Sequence, residues 1–372
     1  MKLSKQSRLS GIELLKLIAM LLIVISHSAP YYGDVYAESY VNLRVATTNV
    51  QNLLLIFFVY LGQVGNCIFL VCSTFFMLEQ DKVKGRKVLY LLTDCLFFSL
   101  SFLLAFSLMG YQLPRMTILK QFFPTTFEFN WYVGCYLLLY LIHPALNLII
   151  RSLSQKQLLL VNLIGIGLYS IAQMVLRDSF YYTRLVGFIL VYFLMAYSKN
   201  HLKNTAKKKA WNLAVLTIST LALVGMILVT NVLGQYTDTF YEKMLHYCIF
   251  VNPFILLIAF SSFHLCKEWH ITNKVINLCA SVTLYIYVIH ENYLFATYAR
   301  PTYFAYIYQT YSYTHVALWS LLLALICYVA GLVIGLIYRY TLRILIYKVC
   351  DRMTTLLSVI CNKTLEIFSR LD

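Results

Sequence analysis

"IAMLLIVISHSAPYY", residues 18–32, is an apolar run of the kind that crosses a bilayer, yet it carries a histidine, His27. It sits in a chain of 372 residues, 60% of them hydrophobic and only 12% charged. A soluble domain of ordinary composition carries about 25% charged residues. Apolar runs near the roughly 20 residues needed for a helical crossing recur along the whole chain. The strict alternation over about 10 residues that marks a membrane β-barrel is absent. The sequence therefore predicts an all-α fold, a polytopic transmembrane helical bundle.

About ten spans are expected, near 12–30, 54–78, 88–110, 130–150, 157–176, 183–198, 211–234, 246–265, 275–296 and 315–338. The first is too long for a cleaved leader, and no small-residue cleavage site precedes a soluble domain. The net charge of +15 would point to nucleic acid in a soluble protein. Here most of the Lys and Arg residues fall in alternate short loops, so the positive-inside rule puts both termini in the cytoplasm and excludes a nucleic-acid partner. The segment 1–338 reads as the membrane-embedded domain. The segment 339–372, opening "RYTLRILIYKVCDRM", reads as a cytoplasmic basic amphipathic tail lying on the inner surface. The longest outer connection, 31–53, is expected to hold a short interfacial segment. The 31 tyrosines crowd span ends, as an aromatic belt or a sugar-stacking surface would. The 10 cysteines form no CxxC pair, so neither a disulfide framework nor a metal site is expected.

An ionisable group at a helix centre costs about 2.5–3.5 kcal/mol on insertion scales, so each one needs a reason. Lys16 and His27 are close to three turns apart and share one face of the first span, about 16 Å from each other along it. That face offers a cation at one end and a titratable ring at the other; a snorkelling lysine and a carbonyl-bonded histidine would give the same pattern. Arg86 and Lys87, in a basic turn, suit phosphate oxygens as well as they suit topology. Trp131 and Tyr132 open the fourth span, and His143 and Pro144 are expected to close it. His290 and Glu291 interrupt the ninth in its outer half. Asp94, inside the third, is expected to pair with a basic residue.

Four segments carry a resemblance: "GIELLKLIAMLLIVISH" (11–27), "CIFLVCSTFFMLEQDKVKGRK" (67–87), "NWYVGCYLLLYLIHP" (130–144) and "YIYVIHEN" (285–292). In this order and spacing they resemble the integral-membrane acyltransferase family 3, which includes polysaccharide O-acetyltransferases. Lys16 stands where the family's Arg-x10-His pair has arginine. "CSTFF" replaces a small Ser-Gly turn, and Gly134 and Cys135 follow Tyr132 where some members carry glutamate. The resemblance implies transfer of an acyl group, usually acetyl, from cytoplasmic acyl-CoA to a hydroxyl of a cell-surface polysaccharide or its lipid-linked precursor. The setting would be a bacterial-type plasma membrane. Under it His27 is the catalytic base, Lys16, Arg86 and Lys87 bind the donor, and Trp131, Tyr132, His290 and Glu291 line the acceptor side. No permanently bound cofactor is implied, acetyl-CoA being a substrate. A flippase for lipid-linked sugar, or a glycan polymerase, is the competing class. The first would favour paired broken helices, the second a large outer loop, and neither is evident in the sequence.

Overall fold

The computed structural model describes residues 9–29, 50–127, 130–176, 183–202, 208–237, 239–240, 243, 246–311 and 315–368. Among these, every regular element is helical. The expected interfacial segment in 31–53 falls almost wholly outside the described residues.

Seven helices are long and apolar enough to cross a membrane. They are α1 (Ser10–His27), α2 (Val50–Met77), α3 (Gly85–Leu108), α5 (Trp131–Ser152), α6 (Gln155–Gly165, continued by a π-turn to Val175), α8 (Lys208–Leu233) and α13 (Val316–Tyr340). The short α4 (Arg115–Phe122) lies between α3 and α5. The outward side of α8 leaves Leu213, Ile218, Leu221 and Val229 exposed, apolar side chains that only lipid would cover. This is a membrane protein.

Of the three remaining predicted spans one is less apolar and two are shorter or broken. α7 (Arg184–His201) ends in a polar turn, Ser198–His201. α9 (Pro253–Lys267) begins late because Pro253 takes the first helical position, where its missing N–H costs nothing, and Asn252 caps the Phe254 N–H at 2.9 Å. The run 275–296 is two helices, α10 (Lys274–Ala280) and α11 (Thr283–His290), separated at Ser281–Val282. A π-turn at Phe295–Ala299 then leads into α12 (Arg300–Tyr311). The tail is one helix, α14 (Leu342–Phe368).

Pro144 does not close α5, which runs on to Ser152. A proline leaves the carbonyl four residues back without its helical donor. Here that carbonyl belongs to Tyr140, and the ring Nδ1 of His143 takes the vacant place at 2.5 Å. The helix thus passes its proline with the orphan acceptor satisfied.

Close backbone approach fixes the register of the helices that carry the site. A Cβ on Gly65 would stand 2.5 Å from the Ala19 carbonyl oxygen, so the close approach of α1 and α2 there requires glycine. One turn earlier on α2, Gly62 admits Ser26, whose hydroxyl donates to the Val59 carbonyl at 3.1 Å. At its other end α1 is tied to α10, Ser10 Oγ bonding Asn277 at 2.9 Å and accepting from the Asn273 N–H at 2.8 Å. Gly331 and Gly335 on α13 form a small-xxx-small face against Ile286 and Tyr285 of α11.

Asp94 departs from expectation. Its carboxylate, on α3 and 3% exposed, is held by three tyrosine hydroxyls: Tyr285 of α11 at 3.0 Å, Tyr338 of α13 at 2.7 Å and Tyr347 of α14 at 2.7 Å. Four helices converge on one buried anion, and hydroxyl donors satisfy it where a basic residue was expected.

Candidate active site

α1 and α11 both end at the same point, and each ends on a histidine. The His27 and His290 rings stack with centroids 5.3 Å apart, and His27 Nδ1 lies 3.1 Å from His290 Nε2. His27 Nδ1 also lies against Glu291 Oε2. The other ring nitrogen of His290, Nδ1, is 2.6 Å from the Ile286 carbonyl, which can only accept. His290 is therefore protonated at Nδ1 and presents Nε2 as an acceptor. His27 in turn must carry its proton at Nδ1, shared between Glu291 and His290. That leaves His27 Nε2 as the basic atom.

Arg300 completes the arrangement. After α11 the Asn292 side chain caps the Leu294 N–H at 2.9 Å, and the π-turn brings the chain back. Arg300, only 7% exposed, donates to the His290 carbonyl at 2.9 Å and stands 3.8 Å from Glu291 Oε1. It satisfies a carbonyl that the end of α11 would otherwise leave bare. It also sets a positive charge beside the buried Glu291 carboxylate. The negative ends of α1 and α11 both favour a cation at the histidines. The result is an imidazole that gains a proton at Nε2 with its positive charge already provided for.

His27, His290 and Glu291 offer three ligand atoms within 4.8 Å of one another, enough in number for a metal ion. Arg300 already supplies the positive charge that the carboxylate needs, and the Nδ1–Glu291 contact uses the coordinating atoms. The residues fit a hydrogen-bonded base better than a metal centre.

A cavity of about 350 Å³ runs beside α1 toward this point. Lys16, Lys87 and Gln80 line one end; Ile23, Tyr132 and Tyr287 line the other. Ile23 is one turn before His27, and the Tyr287 ring lies 5.8 Å from that of His290. Lys16 pairs with Glu13 at 2.8 Å, and Lys87 donates to Gln80 at 3.3 Å. Tyr132 is 7% exposed, and its hydroxyl is buried without a hydrogen-bond partner among the described residues.

The expected site residues thus separate. His27, His290 and Glu291 form one cluster. Lys16, Lys87 and Tyr132 line the cavity leading to it. Arg86 stands apart, paired with Asp351 of α14 at 3.2 Å and lining no cavity described here. Trp131 packs against Phe188 and Phe250 beneath the Arg184 guanidinium, 4.6 Å from its ring centroid. Arg300 and Tyr287 were not foreseen. An arginine followed by proline in "YARPTYF" reads as loop, and Tyr287 reads as one more belt tyrosine.

A family model described as an acyltransferase domain matches residues 9–340, from the start of α1 to the end of α13. No curated protein and no solved structure matches the chain.

Proposed function

The chain belongs to the acyltransferase 3 family, and from that premise we propose that it is an O-acyltransferase moving an acyl group, acetyl in the first instance, from cytoplasmic acyl-CoA to a hydroxyl of a cell-surface polysaccharide or its lipid-linked precursor. The observation that carries the reading is the Arg300–Glu291–His27 chain, set one helical turn beyond Ile23 in the wall of a cavity that Lys16 and Lys87 also line. By the positive-inside rule the lysine end faces the cytoplasm of a bacterial-type cell, where acyl-CoA is made.

In this reading the acyl arm of the donor enters the cavity past Lys16 and Lys87. His27 Nε2 takes the proton of the acceptor hydroxyl. The oxygen attacks the thioester carbonyl, and the C–S bond breaks as the ester forms. The imidazolium, held by Glu291, returns its proton to the departing thiolate, so the enzyme ends as it began. The breaks around α11 would also suit a transporter. A transporter, however, would not release free CoA from acyl-CoA. The deciding experiment compares surface glycan from cells with and without the gene by NMR. O-acyl esters are expected only with the gene, together with acceptor-dependent release of CoA from acyl-CoA by the purified protein. Equal ester content in the deletion, with no CoA released, overturns the reading.

Tyr132 has a role in the same scheme. Its unpartnered hydroxyl lines the cavity near the dyad and can donate to the thioester carbonyl as that oxygen becomes negative. One such donor is worth about 10²–10³ in rate. Tyr132→Phe is expected to lower kcat by about 10²-fold with the KM for acyl-CoA nearly constant. A rise in KM at unchanged kcat would remove the hydroxyl from the transition state and leave it a binding contact.

A further inference from the structure

Beside the cavity that leads to His27 lies a second, larger one of about 890 Å³. The two share Lys16 and Phe76 in their walls, so they adjoin, and they differ in character. The first is narrow and mostly aromatic and aliphatic. The second is polar, lined by Glu13, Lys16, Glu79, Arg339 and Arg343.

The charges in the larger cavity do not cancel. Glu13 is taken by Lys16 at 2.8 Å, and Glu79 by Lys199 at 2.9 Å. Among the described residues neither Arg339 nor Arg343 has a carboxylate within salt-bridge distance. Arg343 lies over the Tyr347 ring, 4.4 Å from its centroid, bonds the Tyr347 hydroxyl and feels the Asp94 charge behind it, while its Nε is buried without a hydrogen-bond partner. Two guanidinium groups four residues apart, on either side of the Thr341 break between α13 and α14, therefore face a cavity whose acids are already paired. Guanidinium is the side chain suited to gripping phosphate oxygens in pairs.

We infer that Arg339 and Arg343 seat the phosphates of the nucleotide portion of the donor, with its adenosine in the larger cavity and its pantetheine arm passing Lys16 into the smaller one. This rests on the acyl-CoA reading above and alters it. The phosphate site lies at the end of α13, whereas the sequence pointed to the turn before α3, where Arg86 is occupied by Asp351. The phosphates of an anionic lipid would satisfy the same two arginines. The nucleotide is favoured because the cavity adjoins, through Lys16 and Phe76, the one whose far end lies a turn from His27.

Binding of CoA and of 3′,5′-ADP to the full chain in phosphatidylcholine nanodiscs tests the assignment. Arg339→Gln and Arg343→Gln are each expected to raise the Kd of both ligands tenfold or more. Lysine at either position should recover most of the loss, and Arg151→Gln, a surface pair with Asp81, should change neither. Wild-type CoA affinity should also fall several-fold between low and high salt, a result that needs no variant to fold. Unchanged CoA affinity in both glutamine variants, or no salt dependence, overturns the phosphate seat and leaves the acyl-CoA reading standing. Binding of neither ligand to the wild type overturns the donor reading itself. Displacement of CoA by phosphatidylglycerol but not by 3′,5′-ADP would assign the arginines to lipid and overturn the nucleotide seat.

Discussion

Replacing His27 by alanine is expected to lower the rate of acyl transfer by about 10²–10⁴, the usual worth of a positioned general base, while donor affinity changes little. The reason for expecting kcat to carry the loss is where the ring sits. It ends α1 one turn beyond Ile23, the last α1 residue in the donor cavity, so removing it leaves the walls that hold the donor intact. His27→Gln keeps a polar group of similar reach without a base and should fall as far. Initial rates of CoA release, with the O-acyl content of surface glycan read by NMR, give both numbers. Equal ester content in wild type and His27→Ala would end the catalytic assignment.

The second large effect belongs to Glu291. Glu291→Gln should lower kcat by about 10²-fold or more, because an amide can present its NH₂ to Nδ1 and turn the basic nitrogen away. It should also destabilise the protein. Arg300 would then be a buried cation without a carboxylate, and breaking a buried pair from one side costs about 3–5 kcal/mol. The double variant Glu291→Gln, Arg300→Gln separates the two consequences. Thermal stability should recover toward wild type while activity stays low. Recovery of both would mean that Glu291 serves folding alone, and recovery of neither would mean that Arg300 is not its partner.

How much of this could be read from the chain depends on distance along it. The Lys16–His27 face follows from helical periodicity within one span, and the structure keeps it. The pairing of His27 with Glu291 joins residues far apart in the chain, and only the shared depth of their spans hinted at it. The break at Ser281–Val282 is invisible to hydropathy, since both residues sit comfortably in an apolar window. Arg86 and Lys87 show the limit most simply. They are neighbours in a helix, so their side chains diverge by about 100°, and here Lys87 lines the cavity while Arg86 turns to Asp351. Periodicity alone does not say which of them turns inward. Asp94 was visible as an anomaly, but its three tyrosines come from helices far along the chain.

That last cluster bears on where the protein can be divided. The family match stops at residue 340, and a boundary at 338 is what charge and amphipathicity suggest. Yet Tyr347 supplies one of the three hydroxyls on Asp94, the Tyr90 hydroxyl donates to Asp351 at 2.6 Å, and the Tyr90 and Tyr347 rings stack at 3.6 Å. One side of the first turns of α14, with Tyr347 and Cys350, therefore packs on the bundle, while Leu342, Ile344 and Leu345 stay exposed. A chain ended at either boundary would strip a hydrogen bond from a carboxylate inside the fold. The smallest piece able to fold as the whole does extends at least through Asp351.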